Sequence, residues 1–391
     1  AWGDGTTSTA AVDQVAGTFT ADHTYLDDDP TGTASDVSAI AITVTDDDTG
    51  ASSDVTSVTV NNLAPVVAAI SGPAQAVRGQ ALTYTGSFTD AGVNDTHTLL
   101  FEVRDAANNV VATSTTGEIT FVASELGTHT VSLTVTDDDT GVGSNSAATT
   151  VASFTVVADP VNPGETALLV GGGENNDRIR IRGNSSGIRV DVLDLATGDS
   201  ASGSGISADR VIVYGGDGDD NIRVLNSAGT TPVDIFGGAG NDWLRGGQGD
   251  DVIVGGEGDD FISGHSGRDL TIGGQGSDIV IGNRHDDILV AGEYTQENDL
   301  AALRAIMAEW TRTDIGYSAR VNNLINGTGL NGSTLLNSAT VLGDNRWDLL
   351  LGMQGQDWFL ANDSQDWTDE RRNETLTDTQ NDFLDSESEE A

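Results

Sequence analysis

The feature that most constrains this chain is a nine-residue period between Gly237 and Val290. Six consecutive units share one order, which four of them match in full: glycine, glycine, any residue, glycine, any residue, aspartate, and a triplet whose middle residue is apolar. They begin at Gly237, Gly246, Gly255, Gly264, Gly273 and Gly282. Related units begin at Gly172, Gly215, Gly343 and Gly352. A constant short period is typical of a solenoid, in which every unit contributes the same piece of structure.

Two positions of the unit carry more information than its glycine content. Position six is aspartate in all ten units, and position eight is apolar in nine, the exception being Thr271. A low-complexity Gly/Asp tract would not keep an apolar residue in register with an acid. Because successive side chains of an extended segment point to opposite faces, we expect position eight to point inward and form a core.

The glycine-rich half of each unit must reverse the chain. Glycine reaches left-handed conformations and, having no side chain, lets carbonyl oxygens approach a common centre. Ca²⁺ takes six to eight oxygen ligands, among them carboxylates and backbone carbonyls. The turn supplies the carbonyls and position six supplies the charge, so the pattern favours calcium binding.

The array resembles the hemolysin-type calcium-binding (RTX) β-roll family, over roughly residues 167–290 and 341–360. The resemblance implies that each unit forms half a coil, that units n and n+2 stack, and that calcium lies between stacked turns. It pairs Asp242 with Asp260, Asp251 with Asp269, Asp260 with Asp278, and Asp269 with Asp287. About four calcium ions are then expected in residues 237–290.

The resemblance implies two kinds of ligand. The carboxylates are Asp220, Asp242, Asp251, Asp260, Asp269, Asp278 and Asp287, with Asp177, Asp348 and Asp357 as further candidates in the outlying units. The main-chain oxygens are those of Gly237, Gly238, Gly240, Gly246, Gly247, Gly249, Gly255, Gly256, Gly258, Gly264, Gly267, Gly273, Gly274 and Gly276. His265, Asn283 and His285 replace glycines, so the turns around Asp269 and Asp287 depart most from the pattern.

Without calcium, the array lacks a sufficient driving force to fold. Burying one aliphatic side chain per unit returns roughly 1.5–3 kcal/mol. Ordering nine residues, several of them glycine, costs more than that. Facing carboxylates add a repulsion of about 1 kcal/mol in water and about 4 kcal/mol at an effective dielectric constant of 20. We expect the array to be disordered without calcium and to fold with it.

A second repeat lies in the first part of the chain, where TVTDDDTG occurs at residues 43–50 and again at 134–141. Short alternating strands and turn residues around both copies favour β-sandwiches. With Trp2-Gly3-Asp4-Gly5 and His23-Thr24-Tyr25, they resemble immunoglobulin-like PKD-type domains. In that family WGDG lies mid-domain, which implies that the first copy lacks its opening strands. The triple-Asp segments, Asp46–Asp48 and Asp137–Asp139, are interpreted as solvated hairpin turns rather than cation sites.

The remaining segments complete the predicted organisation. Residues 189–213 alternate without the full motif and are interpreted as irregular coils of the solenoid. Apolar residues of Asn298–Trp310 share one helical face, capped by Asn298 or Asp299, and we expect this helix to cover the open end of the roll. The predicted domains are 1–63 and 64–158 (PKD-like sandwiches), 159–290 (irregular solenoid passing into the roll), 291–340 (capping insertion), 341–360 (further repeats) and 361–391 (an acidic, flexible tail).

Composition restricts the partners. The formal net charge is −44, with 61 acidic residues and 17 basic ones, all arginine, which argues against nucleic acid. There is no cysteine, so neither disulfides nor thiolate metal sites occur. No stretch reaches eighteen apolar residues, so no membrane-spanning helix is expected. Calcium is the predicted partner; cell-surface proteins or glycans, and type I export machinery reading a C-terminal signal such as Asp382-Phe383-Leu384, are further ones.

No catalytic constellation is present in the sequence. The five histidines lack HExxH spacing, and Gly264-His265-Ser266-Gly267 is followed by arginine where a nucleophile elbow needs glycine. The predicted fold is all-β: two immunoglobulin-like (PKD-type) β-sandwiches, then a parallel β-roll with one capping α-helix. The predicted function is a calcium-binding, secreted or cell-surface structural or adhesive module. The alternative is the non-catalytic C-terminal export and stabilisation region of a secreted hydrolase.

Overall fold

The computed structural model describes residues 1–28, 32–344, 346–361, 365–369 and 374–378. The described chain divides into two compact units. The first comprises residues 1–74, 82–121 and 128–149, and the second comprises residues 75–81, 122–127 and the chain from 150 onward. Within the described ranges, no helix has the length and apolar character needed to cross a membrane.

The first unit contains both copies of the octapeptide repeat. In the first copy, β1 (Ala11–Asp13) pairs with β2 (Thr18–Thr20), and β3 (Ser35–Thr45) pairs with β4 (Ala51–Asn61), both antiparallel. The following strands are β5 (Val66–Val67), β6 (Gln75–Val77), β7 (Ala81–Thr85), β8 (Phe88–Thr89), β9 (His97–Arg104), β10 (Val110–Ser114), β11 (Glu118–Val122), β12 (Gly127–Asp137) and β13 (Val142–Ala152). Of these, β6 belongs to the second unit.

The second copy forms a sandwich around alternating apolar side chains. One sheet has the order β10-β9-β12-β13, and the smaller pairs are β7 with β11 and β5 with β8. In β9 and β12, Phe101 lies opposite Leu133 and Val103 lies opposite Val131. All four are fully buried, and Tyr84 on β7 is buried with them. The period-two pattern of the sequence therefore marks the inward face.

The second unit is a roll built from two nine-stranded sheets. Sheet A has the order β14 (Phe154–Ala158), β15 (Thr166–Gly173), β19 (Arg210–Asp217), β21 (Val233–Ala239), β23 (Val252–Glu257), β25 (Leu270–Gln275), β27 (Ile288–Val290), β31 (Trp358–Ala361), β33 (Thr375–Asp378). Sheet B has the order β18 (Ser200–Ile206), β17 (Gly187–Asp194), β16 (Asp177–Asn184), β20 (Asn221–Val224), β22 (Trp243–Arg245), β24 (Phe261–Ser263), β26 (Ile279–Arg284), β30 (Leu349–Gln354), β32 (Trp367–Thr368). A short 3₁₀ helix spans Asn226–Ala228.

Successive nonapeptide units alternate between the two sheets. In sheet B, Trp243 pairs with Phe261 in parallel, and in sheet A, Ile253 pairs with Thr271. Both pairs are eighteen residues apart, so two units complete one coil and units n and n+2 stack, as predicted. The position-eight side chains form the core between the sheets, and each apolar one is 0% exposed: Ile179, Ile222, Leu244, Ile253, Ile262, Val280, Leu289, Leu350 and Phe359.

The insertion leaves the roll without interrupting its stacking. Strand β26 pairs directly with β30, and β27 pairs with β31, so the coil resumes after a loop of about fifty residues. The insertion holds α1 (Leu300–Trp310), capped by Asp299 as predicted, and the short pair β28 (Glu293–Tyr294) and β29 (Val341–Leu342). It also holds a second helix, α2 (Tyr317–Asn326), although only one helix was predicted and this segment was expected to be loop with short strands. Its buried face, Tyr317, Val321 and Leu324, has helical spacing, but the asparagine-rich sequence between these residues has low helix propensity.

The expectation that the helix covers the open end of the roll is wrong. Leu303, Ile306, Met307 and Trp310 of α1 pack in one buried cluster with sheet A side chains that point away from the roll core. These are the residues at positions seven and nine, and all are apolar: Val252, Val254, Leu270, Ile272, Ile288, Val290, Trp358 and Leu360. In sheet B, position nine is mixed and never buried: it is Arg180, Arg223, Arg245, Ser263, Ile281 or Leu351. The outer face that the helices cover is that of sheet A.

Two further expectations need correction. Strands β17 and β18 are antiparallel to their neighbours, so this part of residues 189–213 extends sheet B as a meander and does not coil. The tail predicted as flexible contributes β32 and β33, one to each sheet, because Leu376 still packs on the roll core. Residues 379–391, including Asp382–Leu384, lie outside the described residues.

Replacing Leu303 by alanine should lower the free energy of unfolding of the calcium-loaded chain by about 2–5 kcal/mol, since a fully buried leucine leaves a cavity at the interface of α1 with sheet A. Urea unfolding measures this change. The control is Leu330→Ala in the same insertion, where 62% of Leu330 is exposed, and its effect should stay within about 0.5 kcal/mol. Equal effects would contradict the packing of α1 on the roll.

Candidate metal centre

The position-six aspartates form two rows along the roll. The B-row precedes the strands of sheet B and consists of Asp177, Asp220, Asp242, Asp260, Asp278 and Asp348. The A-row precedes strands of sheet A and consists of Asp251, Asp269, Asp287 and Asp357. All ten residues are buried. Position six thus lies inside the turns, immediately before each inward-pointing strand.

One carboxylate oxygen of each stacked aspartate accepts a backbone hydrogen bond from the preceding coil. The N–H of Asp242 donates to Asp260 Oδ1 at 2.7 Å, and the N–H of Asp260 donates to Asp278 Oδ1 at 2.8 Å. In the A-row, the N–H groups of Asp251 and Asp269 donate to Asp269 Oδ1 and Asp287 Oδ1, both at 2.9 Å. The structure therefore brings together the four pairs that the sequence singled out.

The rows pass the insertion without a gap. The N–H of Asp278 donates to Asp348 Oδ1 at 2.7 Å, and the N–H of Asp287 donates to Asp357 Oδ1 at 2.9 Å. Asp348 in turn donates to Asp366 Oδ1 at 3.2 Å. Asp366 was missed in the sequence, although it lies nine residues after Asp357 and thus continues the period of the array.

In most row aspartates, the second carboxylate oxygen has no hydrogen-bond partner among the described residues. Among the described residues, no donor reaches the buried Oδ2 atoms of Asp177, Asp220, Asp242, Asp260, Asp269, Asp278, Asp287 and Asp357. Asp251 Oδ2, by contrast, accepts the Gly247 N–H at 2.6 Å. A buried anionic oxygen without a partner is costly. Rows of such oxygens fit a hard cation that accepts several of them at once.

The first glycine of the unit leaves the space into which these oxygens point. A Cβ at Gly246 would lie 2.6 Å from Asp251 Oδ2 and 2.6 Å from the carbonyl oxygen of Gly264, one coil further on. A carboxylate and a main-chain oxygen thus converge above the same Cα. Gly255 and Gly273 have the same surroundings with Asp260 and Asp278. This oxygen-only set matches the ligands that Ca²⁺ prefers.

In the units that begin at Gly215, Gly237, Gly255 and Gly273, the second and fourth glycines are required by the backbone, since all of them have positive φ. Gly256 and Gly258 have φ of 115° and 120°, and a Cβ on either would collide with a carbonyl oxygen of the preceding coil. His265, Asn283 and His285 also have positive φ, at 82°, 84° and 75°. Each costs roughly 1–2 kcal/mol relative to glycine. The turn is thus preserved at the divergent units, and the Asp269–Asp287 contact remains.

Burial raises the pKa of every carboxyl in the rows. It raises the pKa of Asp220, Asp251, Asp260, Asp278 and Asp348 to about 8, and that of Asp242 and Asp357 to about 7. The pKa values of Asp269 and Asp287 lie well above the usual range, again because of burial and then of the next carboxylate in the row. Without a cation, the roll therefore favours the protonated acids.

The first aspartate of the B-row has a different neighbour. Burial raises the pKa of Asp177 to about 6, and the charge of Arg78 opposes that rise. A guanidinium beside Asp177 supplies part of the positive charge that a cation supplies elsewhere. Asp177 is therefore the member of the row least suited to hold Ca²⁺.

Position-five residues form a separate ladder on the outside of the turns. Asp259 N–H donates to Asn241 Oδ1 at 2.7 Å, and Ser277 N–H donates to Asp259 Oδ1 at 2.9 Å. These bonds are exposed and run in the opposite direction along the chain from those of position six. Position five therefore holds the turns in register while remaining in solvent.

Stacked glycine turns, inward aliphatic residues and rows of buried carboxylates define a calcium-binding parallel β-roll. A family model for the RTX calcium-binding nonapeptide repeat matches this chain with four copies, at residues 207–224, 236–271 and 266–293. The chain contains RTX calcium-binding repeats, and the roll is a Ca²⁺-binding module; the repeat is a binding element, not a catalytic one. No curated protein matches the chain.

Solved structures show only low similarity. Fibronectin(III)-like modules of CbhA from Clostridium thermocellum have 20% identity over 30% of this chain and 63% of theirs, with a TM-score of 0.20. A tetra-tandem repeat from the extending region of a large adhesion protein has 17% identity over 45% of this chain and 49% of its own, with a TM-score of 0.22. An Escherichia coli alpha-2-macroglobulin has 15% identity over 40% and 17%, with a TM-score of 0.20. The chain spans less than two thirds of each.

Acid should partly replace calcium. Because the folded state raises the pKa of the row carboxyls from 3.8 to about 7–8, the calcium-free roll is most stable below about pH 4 and loses stability as pH rises through about 8. Circular dichroism in EDTA should therefore show more β structure at about pH 5 than at about pH 8. The same comparison at saturating calcium is the control and should show a smaller difference. More β structure at the higher pH in EDTA would contradict the burial of these acids.

Proposed function

We propose that this chain is an extracellular structural or adhesive module whose roll folds on binding Ca²⁺, as part of a larger secreted or cell-surface protein. The observation that carries the proposal is the double row of buried carboxylates, eight of which have an Oδ2 atom without a hydrogen-bond partner among the described residues. Folding without a cation would bury several carboxylates close together, which is unfavourable. A folded roll with empty sites is therefore destabilised. Coupling of metal binding to folding follows.

The supporting evidence for an extracellular setting is the presence of RTX repeats together with the strong negative charge. Extracellular calcium modules work at dissociation constants of roughly 10⁻⁴–10⁻³ M. A chain that stays unfolded where calcium is scarce and folds where it is abundant becomes compact only after export. The two sandwich modules ahead of the roll serve, in this proposal, as spacers or adhesive units.

Calcium titration of the full chain tests the coupling. Far-UV circular dichroism in EDTA should lack most of the β signal of the roll, and Ca²⁺ should restore it cooperatively at near-neutral pH. Isothermal calorimetry counts the ions, with about four expected from residues 237–290. Magnesium at the same concentration is the control, because it demands octahedral geometry and dehydrates reluctantly. Full β structure in EDTA at neutral pH would overturn the proposal.

Adjacent aspartates offer a matched comparison of the two ladders. Asp260→Asn keeps an Oδ1 acceptor for the Asp242 N–H but removes the charge of the buried carboxylate, which faces both Asp242 and Asp278. The calcium midpoint should rise by roughly tenfold or more, since ligand charge sets affinity. Asp259→Asn makes the same chemical change at the exposed position five and should alter the midpoint by less than about twofold. Equal shifts of the calcium midpoint in the two variants would contradict a specific role of the buried row in calcium binding.

A further inference from the structure

A second cluster of carboxylates lies in the first unit, away from the roll. Asp27, Asp28, Asp95 and Asp139 each place an oxygen within 4.8 Å of the others. They come from three separate segments: the loop between β2 and β3, the loop between β8 and β9, and the hairpin turn between β12 and β13. The first copy of the repeat contributes two of the acids and the second copy contributes the other two.

Two acids of the cluster are buried, the other two are half-buried, and each has at least one oxygen without a donor among the described residues. Asp139 is 0% exposed and Asp28 is 3% exposed. Among the residues that the structure describes, no hydrogen-bond partner reaches Oδ2 of Asp27, Asp28 or Asp139, or either carboxylate oxygen of Asp95. These unpartnered oxygens indicate a ligand independently of the number of acids in the cluster. The oxygens of an exposed acidic patch would be hydrogen-bonded to water.

Backbone contacts hold Asp139 in this position. Its Oδ1 accepts the N–H groups of Gly32 and Thr33, the latter at 2.7 Å. Nearby, Asn62 donates to Asp137 Oδ2 at 2.9 Å, which ties the same turn to the segment that links the two copies. The backbone thereby fixes the Asp139 side chain, while its buried Oδ2 atom has no hydrogen-bond partner among the described residues.

The spacing suits one cation in particular. Calcium–oxygen distances are about 2.3–2.6 Å, so oxygens on opposite sides of the ion lie at most about 5 Å apart. Mg²⁺, at about 2.1 Å, brings its ligands closer and usually takes only one or two carboxylates. Zn²⁺ favours nitrogen and sulfur, which this group of four lacks. A cavity of about 80 Å³, lined in part by Tyr25, Asp28 and Asn62, leaves room for water ligands beside it.

We propose that Asp27, Asp28, Asp95 and Asp139 form a Ca²⁺ site that joins the two copies of the sandwich module. The ion offsets the repulsion among four carboxylates from both copies and so fixes one copy on the other. This corrects the interpretation of Asp137–Asp139 as a solvated turn. Crowding is also evident in the pKa of Asp95, which burial and then the neighbouring Asp27 carboxylate raise to about 7.

The first copy supplies an internal control for the same turn. Asp48 occupies the place of Asp139 in an identical octapeptide, and Thr49 and Thr140 share a positive φ of 73° and 72°. Asp48 is exposed. Asp48 and Asp139 therefore share a local turn and differ in their surroundings. Asp48→Asn makes the same substitution in the same turn, outside the cluster.

The test compares the full chain with Asp139→Asn, Asp95→Asn and Asp48→Asn. Asparagine at 139 keeps the Oδ1 acceptor for Gly32 and Thr33, so the turn is preserved. Native mass spectrometry or equilibrium dialysis with Ca²⁺ alone counts bound ions, and far-UV circular dichroism against calcium monitors the roll separately. Asp139→Asn and Asp95→Asn should each bind one ion fewer than the unmodified chain, or bind it roughly tenfold or more weakly, with an unchanged roll transition.

Asp48→Asn should bind the same number of ions as the unmodified chain. The proposal is overturned if Asp139→Asn or Asp95→Asn retains the full number of ions with unchanged affinity, or if Asp48→Asn loses an ion as they do. In EDTA, the two cluster variants should be at least as thermally stable as the unmodified chain, because they remove like-charge repulsion. Added calcium should then stabilise the first unit of the unmodified chain more than that of either variant.

Discussion

The burial of aspartate carboxylates is the constraint on which the rest of the roll depends. Ten of them lie inside the turns, and all but Asp177 accept a hydrogen bond on one oxygen from a backbone N–H of the neighbouring coil. That bond sets the stacking register, yet it leaves the second oxygen without a donor in most of them within the described chain. The register and the need for a cation thus come from the same side chain. A roll with apolar residues at position six would lose both.

The glycines and the aliphatic residues serve this arrangement in different ways. Glycine at positions one, two and four removes the atoms that would block converging oxygens, and it tolerates positive φ. The aliphatic residue at position eight buries one side chain per unit, too little to hold the coil by itself. Sheet A adds a second apolar face, which the insertion covers with α1 and α2. Hydrophobic packing is therefore concentrated on one side of the roll, while electrostatics governs the turns.

Much of this organisation was predictable because the period is short and constant. Aspartate and an apolar residue held in register determine which side chain enters the turn and which enters the core. The eighteen-residue offset followed from the family resemblance and is seen in the stacked pairs between Asp234 and Val290, before and after which the pairing spans longer or irregular segments. The second helix was missed because its apolar spacing is interrupted by asparagines. The role of the insertion was misjudged because the apolar residues at positions seven and nine of sheet A were not considered as a face.

The amino-acid sequence by itself determined the repeating unit, its inward and outward positions, the acidity of the turns and the presence of two related modules before them. Those properties depend on residues close together in the chain, where local geometry and alternation act. Only the tertiary structure decided which carboxylates meet across the two modules. Asp48 and Asp139 lie in identical octapeptides, yet one is solvated and the other is buried with three acids from other segments. The burial and charge of a side chain are set by residues distant in sequence, and no local pattern encodes them.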